Sequence, residues 1–390
     1  MQIRRPSGVI RIKRQKEHIS LAVLFAFLIT VCLPFQTLAI GGVGLLLLLG
    51  VPLLVFCSPV LGRSVCSKTW DKAAVFLLLF FIDGIVAYIW SPGFSTDSVY
   101  NHVKKVLIVM CFYCLPLNLR EKKLLMEGSV IASLIVSYFL LTQSNVTRHE
   151  GRLLLAVFGQ TQDPNYLGYL FLMPMAIAVY QAMNEKRLWK RLLGFFLALI
   201  VVYAVLITGS RGAFLGIVTV VVVNTIGKFK TLWGKISFCT VTSFAALILL
   251  DYLLLLLPEG LASRFTIQDV LESRGTNRLD IWIATLQAIQ REPYKLLLGF
   301  GSGSSIPTLG IATHNFFLQL LLEVGAVGTW LFMSFFWCWL KRLMKADLIC
   351  LSVMLGCLAM AMTLSVNTIY NFWVTFILSI VCSGARIVDE

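Results

Sequence analysis

A chain of 390 residues that is 58% hydrophobic and only 13% charged carries far more apolar surface than a soluble core needs, which excludes an ordinary cytosolic domain. Its net charge of +14 could suit nucleic acid, but the Lys and Arg residues fall in short clusters between apolar runs rather than along one stripe, so no nucleic-acid partner is expected. The apolar runs are apolar all round, as at 44–56 and 192–207, and lack the alternation of a transmembrane barrel strand. A bilayer is the natural solvent, and a helix crossing its core of about 30 Å needs roughly 20 such residues.

In chain order, a basic N-terminus with Arg4, Arg5, Arg11, Lys13, Arg14 and Lys16 leads into apolar sequence that runs on past Pro34 without a persuasive cleavage site, so it reads as a retained first helix. Helices are then expected at 19–33, 40–58, 73–90, 99–117, 123–143, 166–183, 192–208, 212–226, 236–257, 316–340, 348–366 and 371–385. The fold class is therefore all-α: a polytopic transmembrane bundle of about 12 spans, with a long extracytoplasmic loop holding an amphipathic helix. Nine helices fill 1–257, the loop occupies 258–315, and three helices complete 316–390.

With the N-terminus inside, the connections 63–72, 120–123, 186–191, 228–235 and 341–345 and both termini are cytoplasmic. They carry about 23 of the 33 Lys and Arg residues, the bias that fixes orientation in bacterial inner membranes. The ten cysteines lie mostly inside apolar runs. Cys111 and Cys114 have CxxC spacing but no second pair to complete a metal site, so no metal is expected.

An outward connection has no topological use for a cation, so the basic residues left outside need another explanation: Lys104, Lys105, Arg148, Arg152, Arg211, Arg264, Arg274, Arg278, Arg291 and Lys295. Arginine predominates, and its planar fork binds carboxylate or phosphate oxygens in pairs; solvated loop charge or pairing with Glu150, Asp280 and Glu292 is the plainer account of most single members. Arg211 stands apart because Gly209-Ser210-Arg211-Gly212 separates two apolar runs. That placement sets a guanidinium at the membrane surface, where it needs an anionic partner, beside the N–H groups of the next helix.

In the long loop Leu279, Trp282, Ile283, Leu286 and Ile289 recur at helical spacing, giving an amphipathic helix against the membrane or the bundle. Thr276 or Asn277 is its expected cap, and Arg274 and Arg278 lie at its positive end. His314, with Asn315, marks the return to the membrane and is a side chain suited to taking a proton near neutrality. Asp83, Asp251 and Glu323 are carboxylates within apolar runs, and Gly299-Phe300-Gly301-Ser302-Gly303 lacks the setting of a nucleotide loop.

Taken in order, Asp163-Pro164-Asn165, Thr208-Gly209-Ser210-Arg211-Gly212-Ala213, Arg278-Leu279-Asp280-Ile281-Trp282, Gly299-Phe300-Gly301-Ser302-Gly303 and His314-Asn315, followed by Glu323-Val324-Gly325 and Gly328, resemble the bacterial O-antigen ligase and Wzy-type polymerase superfamily. The resemblance implies a metal-independent glycosyltransferase without a cofactor, working at the outer face of the cytoplasmic membrane. Its donor would be an undecaprenyl-diphosphate-linked glycan, and its acceptor a sugar hydroxyl of lipid A core for a ligase or of another lipid-linked repeat for a polymerase. It also implies that Arg211 and Arg278 hold the donor diphosphate, with Arg274 as a weaker binding candidate, while His314 assists the acceptor hydroxyl and the anomeric centre inverts. A transporter or flippase of a lipid-linked or anionic substrate is the competing class. It would call for repeated halves and paired mid-membrane breaks, neither of which the sequence contains.

Overall fold

The computed structural model describes residues 19–40, 42–66, 71–149, 152–157, 160–227, 229, 231, 233–234, 236–237, 259–262, 265–266 and 277–383. Within them the chain is a helical bundle. Its first half comprises α1 (Leu21–Cys32), α2 (Leu45–Cys66), α3 (Lys72–Val86), α4 (Thr96–Cys114), α5 (Leu119–Leu141), α6 (Pro164–Leu167), α7 (Leu172–Asn184), α8 (Leu188–Ile207) and α9 (Arg211–Ile226). Then follow α10 (Glu259–Ala262), α11 (Arg278–Arg291), α12 (Ser305–Leu309), α13 (Phe316–Glu323), α14 (Gly325–Ala346), α15 (Leu348–Ala361) and α16 (Tyr370–Val381). Among the described residues four helical stretches, Lys72–Trp90, Leu119–Leu141, Pro164–Asn184 and Leu188–Ile207, are long and apolar enough to cross a membrane, and five shorter apolar helices accompany them. The expected helix at 236–257 lies almost wholly outside the described residues.

Polar side chains stop and start these helices where the sequence supplies them. Asp71 caps α3 by accepting from the Ala74 N–H at 2.8 Å, and Asn118 and Glu121 form a reciprocal capping box on α5. Glu121 also receives the Ser20 N–H at 2.9 Å, tying the start of α1 to the start of α5. At the same end of the bundle Asp71 accepts from Tyr113 OH and pairs with Arg342, and separately Lys122 donates to Ser383 O. At the core, Phe316, Phe332, Phe372, Trp373 and Phe376 pack ring on ring, bringing α13, α14 and α16 together.

The structure differs from the sequence expectation in two elements. Residues 144–165, read as a loop, form a three-stranded antiparallel sheet of β3 (Val146–His149), β4 (Arg152–Val157) and β5 (Gln160–Gln162), after a two-stranded ribbon of β1 (Ala39–Ile40) and β2 (Val43–Gly44). The strands are too short for alternation to stand out against so apolar a chain.

The helix expected at 316–340 is broken at Val324. The amides of Phe300 and Gly301 take the carbonyls of Leu322 and Glu323 at 2.7 and 3.0 Å, acceptors that a continuous helix would use itself. Gly325 turns the chain at φ +64°, and a Cβ there would lie 2.5 Å from Gly299 N and Leu297 O. The glycine-rich turn at 299–303 is therefore a close-packing device. A Cβ on Gly301 would lie 2.5 Å from Ser91 Cα, and the Ser302 hydroxyl donates to Gly84 O at 2.6 Å.

Candidate functional site

At the opposite end of the bundle from Asp71, three chain reversals meet. The first is the turn into α6. Asp163 caps it, its carboxylate accepting from both the backbone N–H and the side-chain amide of Asn165 at 2.8 Å. The second is the 208–211 turn. Gly209 adopts φ +62°, Ser210 caps α9 by accepting from Ala213 N–H, and Arg211 is the first helical residue. Asn165 welds these two together, because its Oδ1 accepts from the Ser210 hydroxyl at 2.8 Å and from Arg152 at 3.3 Å, while Arg152 Nε donates to Thr208 O at 3.1 Å.

The third reversal is at 313–315. His314 sits at φ +48°, a left-handed conformation that costs an L-residue roughly 1 kcal/mol and must be held by its surroundings. The holder is Ser365, whose hydroxyl accepts the His314 N–H at 2.9 Å and exchanges a 2.9 Å hydrogen bond with Thr313. Asn315 then caps α13 by accepting from the Phe317 and Leu318 amides. The 363–367 segment ties this reversal to the other two: Tyr166 OH donates to Ser365 O at 3.3 Å, and Gly212 lies so near Thr363 that a Cβ would be 2.5 Å from its hydroxyl.

Electrostatics show what faces the imidazole. Burial lowers the His314 pKa first, the Arg278 guanidinium lowers it further, and the Asp163 carboxylate opposes both. The result is a half-buried imidazole that is neutral at neutral pH, within the fields of one guanidinium and one carboxylate. Arg278 opens α11 as its first residue, so the helix N-terminus adds to its positive charge.

The expected site residues thus separate as follows. His314 and Arg278 share one electrostatic environment with Asp163, and Arg211 belongs to a turn one hydrogen-bonded step from Asp163. Arg274 lies outside the described residues, as do Arg264 and Asp251.

Other outward cations have local occupations. Arg148 donates to Gln143, Lys104 lies over the Tyr100 ring, and Lys295 pairs with Glu292 at 2.8 Å and covers Phe300. Lys105 departs furthest from expectation, because it is buried and donates to Asn367 O. The amphipathic stripe on α11 also divides, with Ile289 packing on Phe300 and Leu322 while Leu279, Ile283 and Leu286 stay exposed. Of the two expected caps, Asn277 takes φ +59° and makes no side-chain cap, and Thr276 lies outside the described residues. Of the site's neighbours, Arg152 is one of the outward cations and Asn165 belongs to the Asp163-Pro164-Asn165 element of the sequence, whereas Ser365 carried no sequence signal.

Comparison with known families falls on the same region. Residues 193–333, the stretch carrying Arg211, Arg278 and His314, match the family model described as O-antigen ligase (Wzy_C), and this match bears out the resemblance to that superfamily. Such a domain indicates glycosyl transfer of the ligase or polymerase type, with a lipid-linked glycan among its partners, and its apolar helices suit a bacterial membrane protein. The comparison with curated proteins returns no match. Asp163, Asn165 and Ser365 lie outside the matched residues but inside the site.

Proposed function

We propose that this protein transfers a glycan from an undecaprenyl-diphosphate donor to an acceptor sugar hydroxyl at the outer face of the cytoplasmic membrane, without a metal and with inversion at the anomeric carbon. The observation that carries the reading is the set of fields at His314. The His314 imidazole, held toward its neutral form by burial and Arg278 and opposed by Asp163, with the Arg211 turn linked to Asp163 through Asn165, supports a base working among cationic groups. Arg211 and Arg278 would take up the charge that grows on the departing diphosphate, worth several kcal/mol in a water-poor site. His314 would remove the proton from the attacking hydroxyl. Attack from the face opposite the diphosphate needs no covalent enzyme intermediate. Arg274 is assigned a supporting role in donor binding.

About twelve spans would put both termini in the cytoplasm, with 258–315 as the outer catalytic loop. Supporting this orientation, the bundle end bearing Asp71 also bears Arg120, Lys122, Lys123, Lys186, Arg187, Lys341, Arg342 and Lys345, the cation-rich side expected inside. The test is glycan transfer in reconstituted membranes from an undecaprenyl-diphosphate oligosaccharide, with lipid A core and a second lipid-linked repeat offered separately as acceptors. Arg211→Ala, Arg278→Ala and His314→Ala are expected to lose about 100-fold or more in turnover at matched folded-protein levels. The productive acceptor tells ligase from polymerase. Undiminished transfer by all three variants would remove the assignment.

A further inference from the structure

His314 holds an uncommon backbone conformation, and the chain that fixes it leads away from the site into the bundle. The His314 N–H donates to Ser365 Oγ at 2.9 Å. Ser365 belongs to a turn, 365–367, three of whose backbone groups are engaged by other helices: Ser365 O by Tyr166 OH, Asn367 N–H by Gln319 Oε1, and Asn367 O by both Trp373 Nε1 and Lys105 Nζ. Gln319 in turn donates to Glu323 Oε1 at 3.1 Å, and that oxygen also accepts from Ser305 Oγ at 2.5 Å. Lys105 is 1% exposed and lies between the Phe81 and Trp373 rings.

Burying an ammonium in an apolar bundle is costly, and a hydrophobic side chain of similar length would pack there with less penalty. What the Lys105 side chain supplies, and a Met would not, is an N–H donor to the carbonyl two residues beyond Ser365. We infer that Lys105 and Ser365 form a clamp that positions the His314 imidazole: Lys105 fixes the 365–367 turn from inside the bundle, and the turn presents Ser365 Oγ to the His314 amide. Neither residue touches the reacting groups. The clamp rests on the role proposed for His314. It acts on turnover, because a base displaced by a fraction of an ångström still leaves Arg211 and Arg278 to bind donor.

The experiment compares full-length wild type with Lys105→Met, Ser365→Ala, Ser365→Thr, His314→Ala and the double variant Ser365→Ala/His314→Ala in nanodiscs, reading kcat, KM for an undecaprenyl-diphosphate oligosaccharide, and thermal midpoint. Lys105→Met and Ser365→Ala are expected to lower kcat about 10- to 100-fold with KM changed less than about threefold. Ser365→Thr, which keeps the hydroxyl, should recover most of the loss. The double variant should be no slower than His314→Ala alone, since a clamp acting through His314 has nothing left to position.

Turnover of Ser365→Ala within about twofold of wild type, or losses that multiply in the double variant, would overturn the clamp while leaving His314 in place. Wild-type turnover by His314→Ala would overturn both. Should Lys105→Met fail to fold, Ser365→Ala and Ser365→Thr decide the matter by the same criteria.

Discussion

The Ser210 hydroxyl donates to Asn165 Oδ1 at 2.8 Å across 45 residues of chain, and this contact joins the turn carrying Arg211 to the turn carrying Asp163. Because the same oxygen accepts from Arg152, Asn165 touches both reversals and the sheet strand β4. Asn165→Leu removes an acceptor that two donors use, at about 1–3 kcal/mol for each donor left short. The expected result is a lower thermal midpoint and a loss of about tenfold or more in transfer. Asn165→Asp keeps the acceptor but sets a second carboxylate beside Asp163, so it should fall between Leu and wild type. Equal activity of all three proteins would show that the weld is irrelevant to transfer.

The acid limb of transfer offers a test by sign. A base must be neutral to work, so kcat/KM should rise with pH through the His314 pKa, which burial and Arg278 hold below the ordinary imidazole value of about 6.5. Arg278→Gln removes a cause of the lowering, and the limb should move to higher pH even as the rate falls. Asp163→Asn removes the opposing influence, and the limb should move to lower pH. Shifts of the same sign in both variants would exclude His314 as the titrating group.

Two glycines near the site should respond differently to a methyl group. At Gly212 the added Cβ would meet only the Thr363 hydroxyl, at 2.5 Å, so Gly212→Ala is expected to cost about 1–3 kcal/mol and Gly212→Ala/Thr363→Ala to recover most of it. At Gly325 the obstacles are the backbone atoms Gly299 N and Leu297 O, and φ is +64°, so no single partner substitution should restore Gly325→Ala. Thermal unfolding in detergent measures both.

Much of this was legible in the sequence, for reasons that differ by feature. Helix positions followed from apolar runs, and the described helices cover most of the expected ones outside 236–257 to within a few residues at most ends. Arg211 and Arg278 at helix starts followed from the glycine and the helical spacing around them, and both stand as first helical residues. The break at Val324 was not legible, since its cause is a pair of amides from Phe300 and Gly301, more than twenty residues earlier. Ser365 was hidden for the same kind of reason: it falls within the helix expected at 348–366, where a single serine carries no signal, and only the fold brings it to His314. Lys105 was assigned to the outer surface because charge counting cannot tell a cation at a membrane interface from one buried against a carbonyl.

Asp71 supplies a control at the far end of the bundle. Its carboxylate caps α3, accepts from Tyr113 OH at 3.2 Å and pairs with Arg342, whose guanidinium also stacks on Trp339. Both members of the ion pair are partly exposed, so most of the stabilising effect should come from the cap, about 1 kcal/mol, and little from the pair itself. Asp71→Ala should therefore lower the thermal midpoint more than Arg342→Ala does. Neither should alter the acid limb or the kcat of the folded protein, because both residues lie at the end of the bundle opposite His314. A kcat loss in folded Arg342→Ala as large as that in Ser365→Ala would show that turnover tracks general stability, and the specific link from Ser365 to His314 would lose its support.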